Sequence, residues 1–175
     1  MNIILIGFTA CGKSTAGARL AEMTGRRFID TDALVEDLYR DRYGEALSCR
    51  QLYARHGADL LRELETEVLR SLPAVEDSVI ATGGGVVLRE ENVALLRRAG
   101  QCVFMDVPMD VLEKRLDRRA SSRLFSGKSP AETYEERRPL YLAAAALHHP
   151  VKREYGREGV ALSLLKQINE AVHGQ

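Results

Sequence analysis

Gly7-Phe8-Thr9-Ala10-Cys11-Gly12-Lys13-Ser14 follows the pattern GxxxxGK[ST], a spacing made for a polyphosphate. Glycines let consecutive backbone N–H groups turn inward, and a helix starting at the end of the motif adds positive potential. In this reading Gly7, Ala10, Cys11 and Gly12 supply backbone donors, Lys13 a point charge, and Ser14 a hydroxyl suited to Mg²⁺. Thr15 either adds a second hydroxyl near the phosphates or packs its helix. Cys11 is read as a small backbone contributor rather than a redox switch. The chemistry expected here is nucleotide-phosphate binding.

Two further segments carry polar groups at places where a ligand could meet them. Asp30-Thr31-Asp32 follows Arg26-Arg27-Phe28-Ile29, an extended segment whose carboxyl end should face the ligand crevice of an α/β sheet. Carboxylates two apart can serve Mg²⁺ and a substrate hydroxyl separately; alternatively Asp32 simply caps the next helix. Thr82-Gly83-Gly84-Gly85 follows Ser78-Val79-Ile80-Ala81 in the same way. Three glycines either admit a ligand close to the backbone or make a tight turn.

The elements that must hold these groups are legible in the hydrophobic pattern. Continuous apolar runs at Asn2–Ile6, Ser78–Ala81 and Cys102–Met105 read as strands buried on both faces. Between them lie helical patterns: one from the phosphate motif toward Met23, others near 33–42 and 48–56, and a short one through Val93, Leu95 and Leu96. A long helix opens near Ala58, with Leu60, Leu61, Leu64, Val68, Leu69 and Leu72 on one face and Pro73 as its stop. Ser48-Cys49-Arg50-Gln51 has capping-box spacing, with a stop expected near Gly57. Alternating strands and helices predict a three-layer α/β fold with a central parallel sheet, in a single domain spanning 1–175. Arg119 to Ala131, rich in Ser, Gly and Pro, is expected as a mobile loop, and Pro150-Val151-Lys152 is a poor strand signal.

Composition narrows the classes. With 175 residues, 45% hydrophobic and 29% charged, the chain can bury a sizeable core, and its apolar runs are far too short to span a bilayer. Twenty-five basic and 25 acidic residues leave no overall field for nucleic acid or an anionic membrane. Three cysteines, unspaced for zinc, and a first strand with no basic leader before it point to a reduced, cytoplasmic protein.

Taken in order, GFTACGKST, FIDTD, VIATGGG and Glu136-Arg137-Arg138-Pro139-Leu140-Tyr141 make the chain resemble the shikimate kinase family from Met1 to about Ala145. That resemblance implies a P-loop fold of the nucleoside-monophosphate-kinase type, with a substrate-binding segment near 31–62 and a lid near 116–131. It implies ATP as co-substrate, Mg²⁺, and phosphorylation of the 3-hydroxyl of shikimate in aromatic amino-acid biosynthesis. The expected partners are these small molecules alone, and the expected state is a monomer.

By matching motif, the resemblance makes Lys13, Asp32 and Arg123 the catalytic set, Arg123 being the lid arginine that reaches the transferred phosphoryl. Asp30 would join Ser14 in holding Mg²⁺, and Asp32 would bind the substrate hydroxyls. Arg62 and Arg137 would grip the substrate carboxylate, Glu65 would orient them, and Gly83, Gly84 and Gly85 would line the same site. Arg115, with Arg119 as its rival, would pack on adenine. Some residues depart from the pattern: the family's GExxFR reads Gly57-Ala58-Asp59-Leu60-Leu61-Arg62, and RPLL reads Arg123-Leu124-Phe125-Ser126. The stretch around Tyr43 to Cys49 is longer than the family's, and 14 positions from Arg123 to Arg137 make a short lid. A kinase for another carboxylated metabolite such as a sugar acid, or a nucleotide-binding regulator without turnover, are the alternative readings.

Overall fold

The computed structural model describes residues 1–117, 127–153 and 155–173. Its centre is β1, Asn2–Ile6, a strand of β-branched and aliphatic residues whose five positions are all buried. It pairs in parallel with β3, Ser78–Ala81, on one side and with β4, Gly100–Asp106, on the other. The outer strands are β2, Arg27–Asp30, and β5, Leu147–Pro150, giving the order β2-β3-β1-β4-β5. This is the expected parallel α/β architecture. The buried Asn2 side chain ties three strands at their starts, donating to the carbonyls of Val75 and Ala99 and accepting from the Ser78 N–H.

Helices follow the strands. α1, Lys13–Thr24, ends at Gly25, whose φ of 67° is the left-handed stop. Its Gly17 lies so near β2 that a Cβ there would sit 2.8 Å from the Phe28 ring. α2 spans Thr31–Tyr43 and α3 Cys49–Ser71. The capping box of Ser48 and Gln51 opens α3, and Gly57, at φ 80° and ψ −172°, kinks it into the two helical halves that the pattern suggested. α4 is Glu90–Ala99, α5 Met109–Asp117, α6 Pro130–Ala144 and α7 Arg157–His173. No helix among the described residues is long and apolar enough to cross a membrane.

The main core surrounds β1, β3 and β4. A second, smaller cluster of Val35, Tyr39, Leu52, Leu61, Leu64 and Val68 joins α2 to α3. That satellite core stiffens the segment over 31–62.

Two expectations need correction. A fifth strand exists where the signal was poor, because β5 is a short edge strand ending in Pro150, a residue that an edge tolerates. Ser129 and Pro130 are not loop residues either: Ser129 caps α6 in a box with Glu132, and Pro130 takes the first turn. Residues 118–126 of the expected lid, including Arg119 and Arg123, lie outside the described residues.

Candidate active site

The phosphate loop joins β1 to α1 at the carboxyl end of the sheet. Gly7 (φ 148°) approaches β4 so closely that a Cβ would meet the Met105 carbonyl at 2.8 Å. Ala10 holds the left-handed region at φ 64°, a conformation that costs an alanine about 1–2 kcal/mol and that the loop's curvature imposes. Gly12 caps α1 with no side-chain bond, so nothing from the cap covers the first N–H groups of the helix. The Lys13 ammonium folds back to donate to the carbonyls of Gly7 at 2.8 Å and Phe8 at 2.9 Å. Cys11 is buried with Sγ 3.5 Å from that ammonium, and Ser14 and Thr15 are exposed.

Asp30 closes β2 and is the residue that caps α2: its Oδ1 accepts from the Asp32 N–H at 3.0 Å. The sequence had offered Asp32 for that role. Capping by Asp30 instead leaves the Asp32 carboxylate free to face the site from the first turn of the helix. Burial, joined by the charge of Asp30, raises the Asp32 carboxyl to about 6, with Lys13 opposing.

The glycines after β3 serve this chain's own side chains. A Cβ on Gly83 would sit 2.7 Å from Asp32 Oδ1 and 2.9 Å from Glu65 Oε1, one on Gly84 would reach Thr9 Oγ1 at 2.6 Å, and one on Gly85 would overlap the Arg62 guanidinium. The close approach foreseen for a ligand is therefore occupied by the residues that would bind it. Tyr141 of α6 donates its hydroxyl to the Gly84 carbonyl, pinning the turn from below. Arg62 is ion-paired with Glu65 on α3, their side chains 13% and 7% exposed. Arg137 of α6 lies over the Phe8 ring, 6.0 Å from its centroid.

These residues border two adjoining cavities of about 160 Å³ each. The first is lined by Thr9, Ala10, Gly12, Lys13, Ser14, Thr15, Asp32, Thr82 and Gly84, the second by Asp32, Arg62, Glu65, Gly83, Gly84, Gly85 and Arg137 together with Thr9, Cys49, Arg50, Tyr53 and Leu61. Thr9, Asp32 and Gly84 belong to both. No sequence motif gives the side chains of Thr9, Cys49, Arg50, Tyr53 and Leu61 a place in a site. Cys49 and Tyr53 do share one face, four apart after a recognised cap, and that spacing was the available signal. The Cys49 thiol is pushed up by burial and by the charges of Asp32, Glu36 and Glu65, which keeps it protonated. Arg115 Nη1 donates to the carbonyls of Ala10 at 3.2 Å and Cys11 at 3.0 Å, bracing the phosphate loop. All three cysteines are free.

Against known proteins, a family model described as shikimate kinase matches residues 9–169. The shikimate kinase of Nitratidesulfovibrio vulgaris is 43% identical over 151 residues, 82% of this chain and 83% of the relative. Among solved structures, shikimate kinase from Aquifex aeolicus aligns over 100% of both chains with TM-score 0.75 and 33% identity. Shikimate kinase from Acinetobacter baumannii in complex with shikimate covers 99% of this chain and 93% of its own, with TM-score 0.80 and 26% identity.

Proposed function

The chain belongs to the shikimate kinase family, and from that premise we propose that its two cavities hold ATP and shikimate on either side of Asp32 for transfer of the γ-phosphoryl group to the 3-hydroxyl. The observation that carries this reading is the shared wall: Thr9, Asp32 and Gly84 line the phosphate-loop cavity and the arginine-lined cavity alike. A group in contact with both ligands is what direct transfer requires.

Phosphoryl transfer asks little covalent help of a protein, so the residues work by alignment and charge. Arg62 and Arg137 take the shikimate carboxylate, with Glu65 fixing the direction of the Arg62 guanidinium. Asp32 accepts hydrogen bonds from the substrate hydroxyls, standing closest to the attacking one. Lys13 exchanges the Gly7 and Phe8 carbonyls for β- and γ-phosphate oxygens, and the first N–H groups of α1 meet the same anion. Arg115 steadies the loop behind them and has adenine as its nearest further target. By the family resemblance, Arg123 would reach the transferred phosphoryl.

The donor set suits Mg²⁺. No group of three or more carboxylate, imidazole or thiol side chains among the described residues could cage a metal, but the Ser14 hydroxyl and the second oxygen of Asp30 suit a cation that keeps most of its water. When bound, such a cation would neutralise charge developing on the phosphates during transfer. The enzyme acts as a monomer in this reading.

The test is ADP release in a coupled assay with and without shikimate. Release that depends on shikimate supports the reading, and release indifferent to shikimate removes it.

A further inference from the structure

β4 ends at Asp106, the residue after the carbonyl against which Gly7 packs. Its carboxylate is 11% exposed and gathers three side chains. Oδ1 accepts from the Tyr134 hydroxyl. Oδ2 accepts from Arg138, through Nε at 3.2 Å and Nη2 at 2.8 Å, and from His148 Nε2–H at 2.8 Å. Burial alone would push this carboxyl up, yet the bonds from Tyr134, Arg138 and His148 outweigh it and hold it below the ordinary range.

Two of these donors lie on α6, four residues apart on one face, with Arg137 between them in sequence. The Tyr134 ring also meets Phe8 of the phosphate loop edge-on, with centroids 5.5 Å apart and planes at 88°. Arg137 lies over the same Phe8 ring. Directly after Arg138 comes Pro139, which has no N–H, so the helix loses the bond to the Glu135 carbonyl, beside these side chains. Where backbone bonding is interrupted, side-chain anchors decide how the helix is rotated.

We propose that Asp106 is a positioning residue: by holding Tyr134 and Arg138 it fixes the rotation of α6 and thereby presents Arg137 to both the substrate cavity and Phe8. This rests on the reading above in which Arg137 takes the substrate carboxylate. Asp106 itself lines neither cavity.

Asp106→Asn keeps the shape and removes the charge. The expected result is a KM for shikimate raised by about tenfold with KM for ATP within about two- to threefold of wild type, the size of loss associated with one weakened charge-assisted contact. Discrimination between shikimate and its carboxamide should shrink in parallel, which a loss of general stability would not produce. In an Arg137→Ala background Asp106→Asn should add less than about twofold, since coupled residues are not additive. Should Asp106→Asn fail to fold, Tyr134→Phe and Arg138→Gln each remove one anchor and must raise the shikimate KM in the same selective way. His148→Ala cuts the tie to β5 and the ring stacking on Phe104 but neither α6 anchor, and should have a much smaller effect on the shikimate KM.

A full penalty for Asp106→Asn without Arg137, an equal rise in both KM values, or a His148→Ala defect as large as that of Asp106→Asn would each overturn the proposal. If Arg137→Ala by itself leaves the shikimate KM unchanged, the assignment of Arg137 fails first and takes this inference with it.

Discussion

Asp32 meets both cavities, and its proton decides whether it can accept from a substrate hydroxyl. With its carboxyl raised to about 6, the affinity of the nucleotide-free enzyme for shikimate should fall as pH drops through that value. In Asp30→Asn, which removes the neighbouring charge, the fall should occur at lower pH; in Asp32→Asn it should vanish. Titration calorimetry across pH 4.5 to 8 checks all three, and a wild-type affinity flat through the window counts against the assignment. The same shift has a stability consequence. A raised carboxyl makes folding costlier as pH rises, from nothing below the ordinary aspartate value of 3.8 to the full amount above about 6. Asp32→Asn should therefore melt higher than wild type at pH 8 and no higher at pH 3.5, the pattern expected when a site is built at the expense of stability. For Lys13→Ala, kcat should drop by about 10²-fold or more with the fold retained, because preorganised charge dominates such reactions. Near wild-type turnover at saturating ATP would end that assignment. These residues could be found from sequence because their roles require particular types at fixed spacing. Thr9 could not be placed that way, since it lies between two cavities, and although the family motif put Arg115 at the nucleotide, its bracing of carbonyls about a hundred positions away was not legible.

At the level of elements, the kink in α3 ties local backbone conformation to the wall of the arginine-lined cavity. Gly57 sits at φ 80° and ψ −172°, a region open essentially to glycine, and a Cβ there meets nothing within 4 Å. Gly57→Ala should thus cost about 1–3 kcal/mol through the backbone alone. Because the half-helix before the kink carries Cys49, Arg50 and Tyr53, the KM for shikimate should rise more than the KM for ATP. Denaturant unfolding together with steady-state kinetics separates the two effects, and a variant as stable as wild type would refute the strain. Gly57 and the Ser48 box were readable because each is a local signal. The box of Ser129 and Glu132 was equally local, but neighbouring Ser, Gly and Pro gave the whole stretch the composition of a loop. β5 was obscured for a different reason: Leu147-His148-His149-Pro150 has no apolar run, and the strand is specified by pairing with β4. Arg123 belongs to the segment before α6, and the family motif predicts that Arg123→Ala lowers kcat by about 10²-fold while altering ATP affinity only a few-fold. If Arg118→Ala or Arg119→Ala abolishes kcat and Arg123→Ala leaves it unchanged, the lid arginine is misassigned.

For the molecule as a whole, the proposed function has the ligands bridge parts that the sheet alone does not join: α3 and α6 would each bring one arginine, Arg62 and Arg137, to a single carboxylate. Shikimate at about a hundred times its Kd should stabilise the fold by about 2.7 kcal/mol, a rise in Tm of roughly 5–10 °C for a chain of this size. Arg62→Ala at the same concentration should show little of that rise in a thermal scan. The order β2-β3-β1-β4-β5 also bears on how the protein is made. β1 is synthesised first, yet its partners are Val79–Ala81 and Gly100–Phe104, and the phosphate loop rests on the Met105 carbonyl. At about 5–20 residues per second, the ribosome leaves this strand, apolar from Ile3 to Ile6, without a neighbour for several seconds. The phosphate loop cannot take its native curvature until β4 has emerged. A chain released before Gly100 would carry a central strand with one open, hydrophobic edge, and its fate is association with other chains rather than a half-built enzyme.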